Sequence, residues 1–133
     1  MSMISIFNSY IFVAIFLFAV LGFWGIGMWF GLHFIFWWYD VAAHFAGGAW
    51  VMSLAFLLKN KLGIENSNLK GFALFVTMLG IVALVGVLWE FFEFVLDRYI
   101  TMAKLTYLPN VFEDTLADLF WDLTGGTAMF LIL

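Results

Sequence analysis

Three runs of ionisable side chains have the types and spacing that chemistry needs. Asp40 and His44 stand four residues apart; Glu90, Glu93 and Asp97 follow at intervals of three and four; Asp114, Asp118 and Asp122 follow at intervals of four. Residues three or four apart share one face of a helix, so each run makes a single stripe wherever its segment is helical. Carboxylates with one imidazole are the donors that divalent cations take, and Mg²⁺, Mn²⁺, Ca²⁺ and Zn²⁺ all suit such a set. Glu90, Glu93, Asp97, Asp114, Asp118 and Asp122 are therefore the candidate metal ligands. Ions held by Glu90, Glu93, Asp118 and Asp122 would bridge phosphate oxygens and stabilise a transition state. His44, oriented by Asp40, would serve as general base or as a further ligand. The spacing is not the Glu-x-x-His pair of ferritin-like di-iron helices. With no cysteine in the chain, thiol chemistry is excluded.

These groups lie in an unusual setting. Of 133 residues, 66% are hydrophobic and 11% charged, with mean hydropathy +1.10. Soluble domains are nearer half apolar and a quarter charged, so this chain reads as an all-α integral membrane protein. Its length suits a single transmembrane domain over 1–133. A membrane helix needs about 20 apolar residues. Such segments run over 6–30, 41–58, 71–96 and 115–133, which predicts a bundle of four transmembrane helices in the lipid bilayer. The opening "MSMISIF" lacks a basic region and a clear cleavage site, so it reads as the lead into a retained span. The aromatic "HFIFWWYD" over 33–40 suits a headgroup interface, with His33 interfacial and structural. The stretch 59–70 reads as a polar turn, and 98–114 as a loop with room for a short interfacial helix. Lys59, Lys61 and Lys70 on one side outnumber Arg98 and Lys104 on the other, which places the termini in the cytoplasm. Five Lys and Arg without a basic cluster exclude a nucleic-acid partner.

Alternating direction through four spans gathers the acids. Asp40 opens the second span, Glu90, Glu93 and Asp97 close the third, and Asp114, Asp118 and Asp122 open the fourth. All then lie in one leaflet, the outer one, with Glu65 alone opposite. At about 1.5 Å rise per residue, Asp122 sits roughly 12 Å deeper than Asp114, and Glu90 roughly 10 Å deeper than Asp97. The bland reading competes at the span ends, where Asp40, Asp97, Glu113 and Asp114 can reach headgroups and Arg98 serves Asp97 as counterion. That reading fits Glu90 and Asp122 poorly, because ionisable residues at such depth are usually functional. So many acids with so few bases must take up protons or bind cations. Gly47, Gly48, Gly86, Gly125 and Gly126 each lie about one turn from an acid or His44, where small residues let membrane helices approach closely.

"YDVAAHFAGG" (39–48), "WEFFEFVLD" (89–97) and "EDTLADLFWDLTGG" (113–126) resemble the YjdF-like group of small bacterial membrane proteins. That group shows Asp-x-x-x-His-Phe, Trp-Glu-x-x-Glu and Asp-Thr-x-x-Asp-x-x-x-Asp-x-x-Gly elements. By position the shared polar residues are Asp40, His44, Glu90, Glu93, Asp97, Asp114, Asp118 and Asp122. The chain is similar, more loosely, to the VanZ-like family, associated with glycopeptide resistance in some members. It departs from that pattern at Val41, Glu93 and Asp122, where Lys, Gln and Asn are usual. The resemblance implies a multi-pass protein of the bacterial inner membrane and brings little mechanism with it. Two functional readings stand open. One is a metal-dependent enzyme on a lipid or lipid-linked phosphate. The other is a non-enzymatic cation- or proton-binding protein, a homo-oligomer or a subunit joined to partner membrane subunits.

Overall fold

The structure is a computed structural model, which describes residues 9–62, 70–101 and 111–133. The expected start of the first span at residue 6, most of the 59–70 turn and residues 102–110 of the expected 98–114 loop lie outside these residues; 98–101 and 111–114, read as loop, are helical. Among these residues five helices follow in order: α1 Tyr10–Phe30, α2 Leu32–Ile35, α3 Trp37–Lys61, α4 Gly71–Val95 and α5 Val111–Ile132. A π-helical turn, Leu96–Thr101, continues α4.

Local chemistry sets the boundaries. The Ser9 hydroxyl accepts from the Ile11 N–H at 3.3 Å and caps α1. Gly31 ends α1 at φ 65°, a left-handed conformation that costs glycine little, and its N–H bonds the Gly27 carbonyl. The extended Phe36 then separates α2 from α3. This double turn folds His33 back over the first turn of α3, a reversal that the aromatic composition of the segment does not announce.

α3 is the central helix. Tyr39, Ala43, His44, Gly48, Ala49, Val51, Met52, Ser53, Ala55 and Leu57 are all buried, more than one face of a helix. Its small residues allow neighbours on several sides. α4 buries only the narrow stripe Met78, Val82 and Gly86, and α5 the stripe Asp118, Asp122, Gly125, Gly126 and Met129. α5 runs parallel to α3: Asp118 and Asp122 meet His44, and Gly126 meets Gly48. It runs antiparallel to α4, with Gly126 beside Val82 and Phe130 stacked edge-on to Phe75. α1 is antiparallel to α3, tied by Trp50 Nε1 donating to the Val13 carbonyl at 2.9 Å and the Tyr39 hydroxyl donating to the Phe23 carbonyl at 2.6 Å. An apolar core of Ala49, Val51, Met52, Ala55, Met78, Val82 and Met129 fills one half of the bundle.

Large apolar side chains cover the outside, among them Trp29, Phe18 and Phe72, each at least 74% exposed. Water would not tolerate so continuous an apolar surface, and a bilayer covers it. Among the described residues three helices are long and apolar enough to cross a membrane: α1, α3, and α4 with its π-helical extension to Ile100. α5 has 22 residues, a spanning length, but Asp118 and Asp122 interrupt its apolar run. The four expected spans are thus all found as helices, three of them with the apolarity of a span.

Candidate metal centre

Close helix approach builds the site. A Cβ on Gly48 would overlap the backbone of Asp122, and one on Gly125 would overlap the backbone of Phe45. Only glycine at both places lets α3 and α5 come this near. On the third side, a Cβ on Gly86 of α4 would stand 2.6 Å from Asp122 Oδ2. The glycines therefore bring the polar stripes of three helices onto one point, His44, which is 4% exposed.

Both imidazole nitrogens of His44 face carboxylates. Nε2 lies 3.9 Å from Asp40 Oδ1 and 3.7 Å from Asp118 Oδ1, and Nδ1 lies 3.4 Å from Asp122 Oδ1. These separations exceed the 2.7–3.2 Å of a protein N–H···O bond. Donors sharing one ion at about 2.0–2.5 Å stand roughly 3–4 Å from one another. Among the described residues, two sets of donor atoms lie within 4.8 Å of one another: Asp40, His44 and Asp118, and His44, Glu90 and Glu93. His44 belongs to both. The carboxylate of Asp122 facing Nδ1 is placed to fix the tautomer that leaves Nε2 free to ligate.

Outer contacts orient this shell. His33 Nδ1 donates to Asp40 Oδ1 at 2.9 Å. That bond, with Asp40's charge, raises the His33 pKa above its ordinary value against the opposing effect of burial. Trp24 Nε1 donates to Glu93 Oε1 at 3.0 Å, and Trp24 also sits edge-on to Trp89. Two buried carboxylate oxygens, Glu90 Oε1 and Asp122 Oδ2, have no hydrogen-bond partner among the described residues.

The structure thus brings together Asp40, His44, Glu90, Glu93, Asp118 and Asp122. Asp97 is buried on the π-helical turn and Asp114 is exposed on the first turn of α5; neither falls in the two donor sets. The Arg98 guanidinium lies over the Phe94 ring, 6.0 Å from its centroid. Sequence reasoning missed His33 and Trp24. His33 read as an interfacial residue, whereas its side chain is 11% exposed and serves Asp40. The available signal was Gly31 ahead of it, a place for the chain to reverse. Nothing local marked Trp24, which reaches the site from α1, a helix without Asp, Glu, Lys, Arg or His.

Next to the centre lies an apolar cavity of about 110 Å³ between α1, α3 and α4. Its walls carry Leu17, Val20 and Leu21 of α1 and Val82 and Val85 of α4, and it ends at His44 and Asp122.

A family model described as "Predicted membrane protein (DUF2238)" matches residues 3–133. No curated protein and no solved structure matches the chain. DUF2238 is the YjdF family, so the match agrees with the first resemblance seen in the sequence; it does not extend to the VanZ-like one.

Proposed function

The chain belongs to the DUF2238 family of predicted membrane proteins, and from that premise we propose that it is a four-span bundle whose function is to hold a divalent cation. The ion sits within one leaflet, the outer one if the lysine-rich turn is cytoplasmic. Asp40, His44 through Nε2, and Asp118 are its ligands, with Glu90 and Glu93 completing the shell or holding a second ion. One observation carries this reading. His44 Nε2 faces Asp40 Oδ1 at 3.9 Å and Asp118 Oδ1 at 3.7 Å, too far for hydrogen bonds and right for donors that share an ion. Leaving these acids ionised and unpaired in hydrocarbon is costly, and a bound cation removes that cost. Asp97 and Asp114 serve, in this reading, at the mouth of the site rather than in the shell.

Metal analysis of the purified protein in mild detergent tests it. Wild-type protein is expected to retain a roughly stoichiometric divalent ion, and Asp118→Asn to bind it more than about 100-fold more weakly, a loss greater than outer-shell changes cause. A folded wild type that takes up no divalent ion sinks the reading. The four-span arrangement is tested by cysteines at Phe36, Asn60 and Tyr99 with an impermeant label. Residues 36 and 99 should react from one side and residue 60 from the other.

The apolar cavity beside the centre favours a second reading, in which the ion acts on a lipid-linked phosphate. It would polarise the phosphate oxygens as a Lewis acid. With both nitrogens of His44 facing carboxylates, Glu90 is the better placed base. A non-enzymatic role, alone or with partner subunits, needs the same ion and no reaction.

A further inference from the structure

Few donors reach this centre, and that bears on which divalent ion it takes. His44 belongs to both donor sets, so an ion in either meets an imidazole nitrogen. Nitrogen donors suit Zn²⁺ and its transition-metal neighbours, whereas Mg²⁺ and Ca²⁺ take oxygen. Each set adds two carboxylates, from Asp40 and Asp118 or from Glu90 and Glu93. The backbone adds nothing. α3, α4 and α5 run as unbroken α-helix past these residues, so their carbonyls are spent on helical hydrogen bonds. Water has little room, with His44 4% and Asp118 6% exposed. Ca²⁺ takes about six to eight oxygens and Mg²⁺ keeps several waters, whereas Zn²⁺ is satisfied by about four donors.

The outer contacts lower the donor number further. Trp24 Nε1 donates to Glu93 Oε1 at 3.0 Å, and His33 Nδ1 to Asp40 Oδ1 at 2.9 Å. One oxygen of each carboxylate thus carries an N–H, which opposes the two-oxygen grip common in Ca²⁺ sites. The Trp24 ring is held for this by Trp89, edge-on at 5.2 Å, and by Phe92 at 6.1 Å. We infer that the centre holds Zn²⁺ or an ion of its class with about four donors, and that Trp24 is a positioning residue that sets this preference by leaving Glu93 one oxygen for the ion. The inference rests on the divalent-cation reading above and narrows it to one class of ion. Most nitrogen–oxygen sites favour the later transition ions whatever their geometry, so coordination number, rather than affinity alone, is the quantity to measure.

Co²⁺ added to the full chain in mild detergent tests this, because four-coordinate Co²⁺ absorbs visible light far more strongly than six-coordinate Co²⁺. The wild type should give the intense spectrum. Equimolar Zn²⁺ should displace the Co²⁺, and Ca²⁺ or Mg²⁺ should fail to at about a hundredfold excess. Trp24→Phe keeps an aromatic ring and loses the N–H. It should weaken the intense bands and let Ca²⁺ compete about tenfold better, the scale of an outer-shell change. Trp50→Phe is the control: it removes an indole bond from α3 to α1, at the Val13 carbonyl beside the apolar core, and should change neither. The wild-type spectrum decides the coordination number whether or not Trp24→Phe folds. A weak six-coordinate spectrum, or displacement by equimolar Ca²⁺ or Mg²⁺, would overturn the ion assignment and leave the divalent-cation reading standing. Equal loss of Zn²⁺ and Ca²⁺ affinity in Trp24→Phe would overturn the part given to Trp24, and uptake of no ion at all would remove both the inference and the reading beneath it.

Discussion

The two halves of this bundle use the same helices and opposite chemistry. Beyond the paired glycines Gly47–Gly48 and Gly125–Gly126, the interior is Met52, Ala55, Met78, Val82 and Met129. Before them it is Asp40, His44, Glu90, Glu93, Asp118 and Asp122. The apolar half is held by contacts that are individually weak and direction-free, so similar side chains can substitute for one another. The polar half depends on atoms at particular distances, and its groups are costly when misplaced. The glycines between the halves allow both. They close the α3–α5 gap enough for methionine packing on one side and for carboxylates to converge on His44 on the other.

The difference can be broken at its hinge. Gly48→Ala pushes a methyl into the backbone of Asp122 and should separate α3 from α5. The expected cost is about 3 kcal/mol or more, read as a lower melting temperature in detergent, together with loss of bound metal. Unchanged melting would show that the helices are not so close. Next in size is the loss of metal expected above for Asp118→Asn, which should leave the apolar half intact.

A smaller change sharpens the contrast. His33→Ala removes the bond to Asp40 without touching the shell. It should weaken metal binding by about 10–100-fold while thermal unfolding of metal-free protein moves little. If metal affinity is unchanged, Asp40 is not oriented from outside. Smallest of all is Met52→Leu in the fully buried apolar half. It should cost under about 1.5 kcal/mol and leave metal content as it was. A large loss of metal there would mean that the halves are coupled rather than separate.

Much of this was readable in the order of residues, and the reasons are physical. Span-length apolar runs must become helices in lipid, because the backbone has no other partner there. Alternating direction through the bilayer then carries Asp40, Glu90 and Asp118 toward one end, and helical periodicity puts Glu90 with Glu93, and Asp118 with Asp122, on shared faces. The small residues beside them predicted close approach. The boundaries were read less well: α3 starts at Trp37 rather than 41 and α5 at Val111 rather than 115. Polar first turns hide helix starts from a reading based on apolarity. The apolarity of α5 itself was read too generously, since its acids face inward.

What the sequence by itself determined is the inventory and its phase: which groups are ionisable, which helix carries each, and which stripe it occupies. These follow from covalent order and a helical repeat that every residue obeys. What only the tertiary structure decided is which members of those stripes meet. Asp118 and Asp122 reach His44, Asp114 remains at the surface, His33 folds back onto Asp40, and Trp24 crosses to Glu93. Such meetings depend on interhelical distance and rotation, set by glycine-to-backbone contacts between residues more than seventy positions apart, and no local pattern along the chain records them.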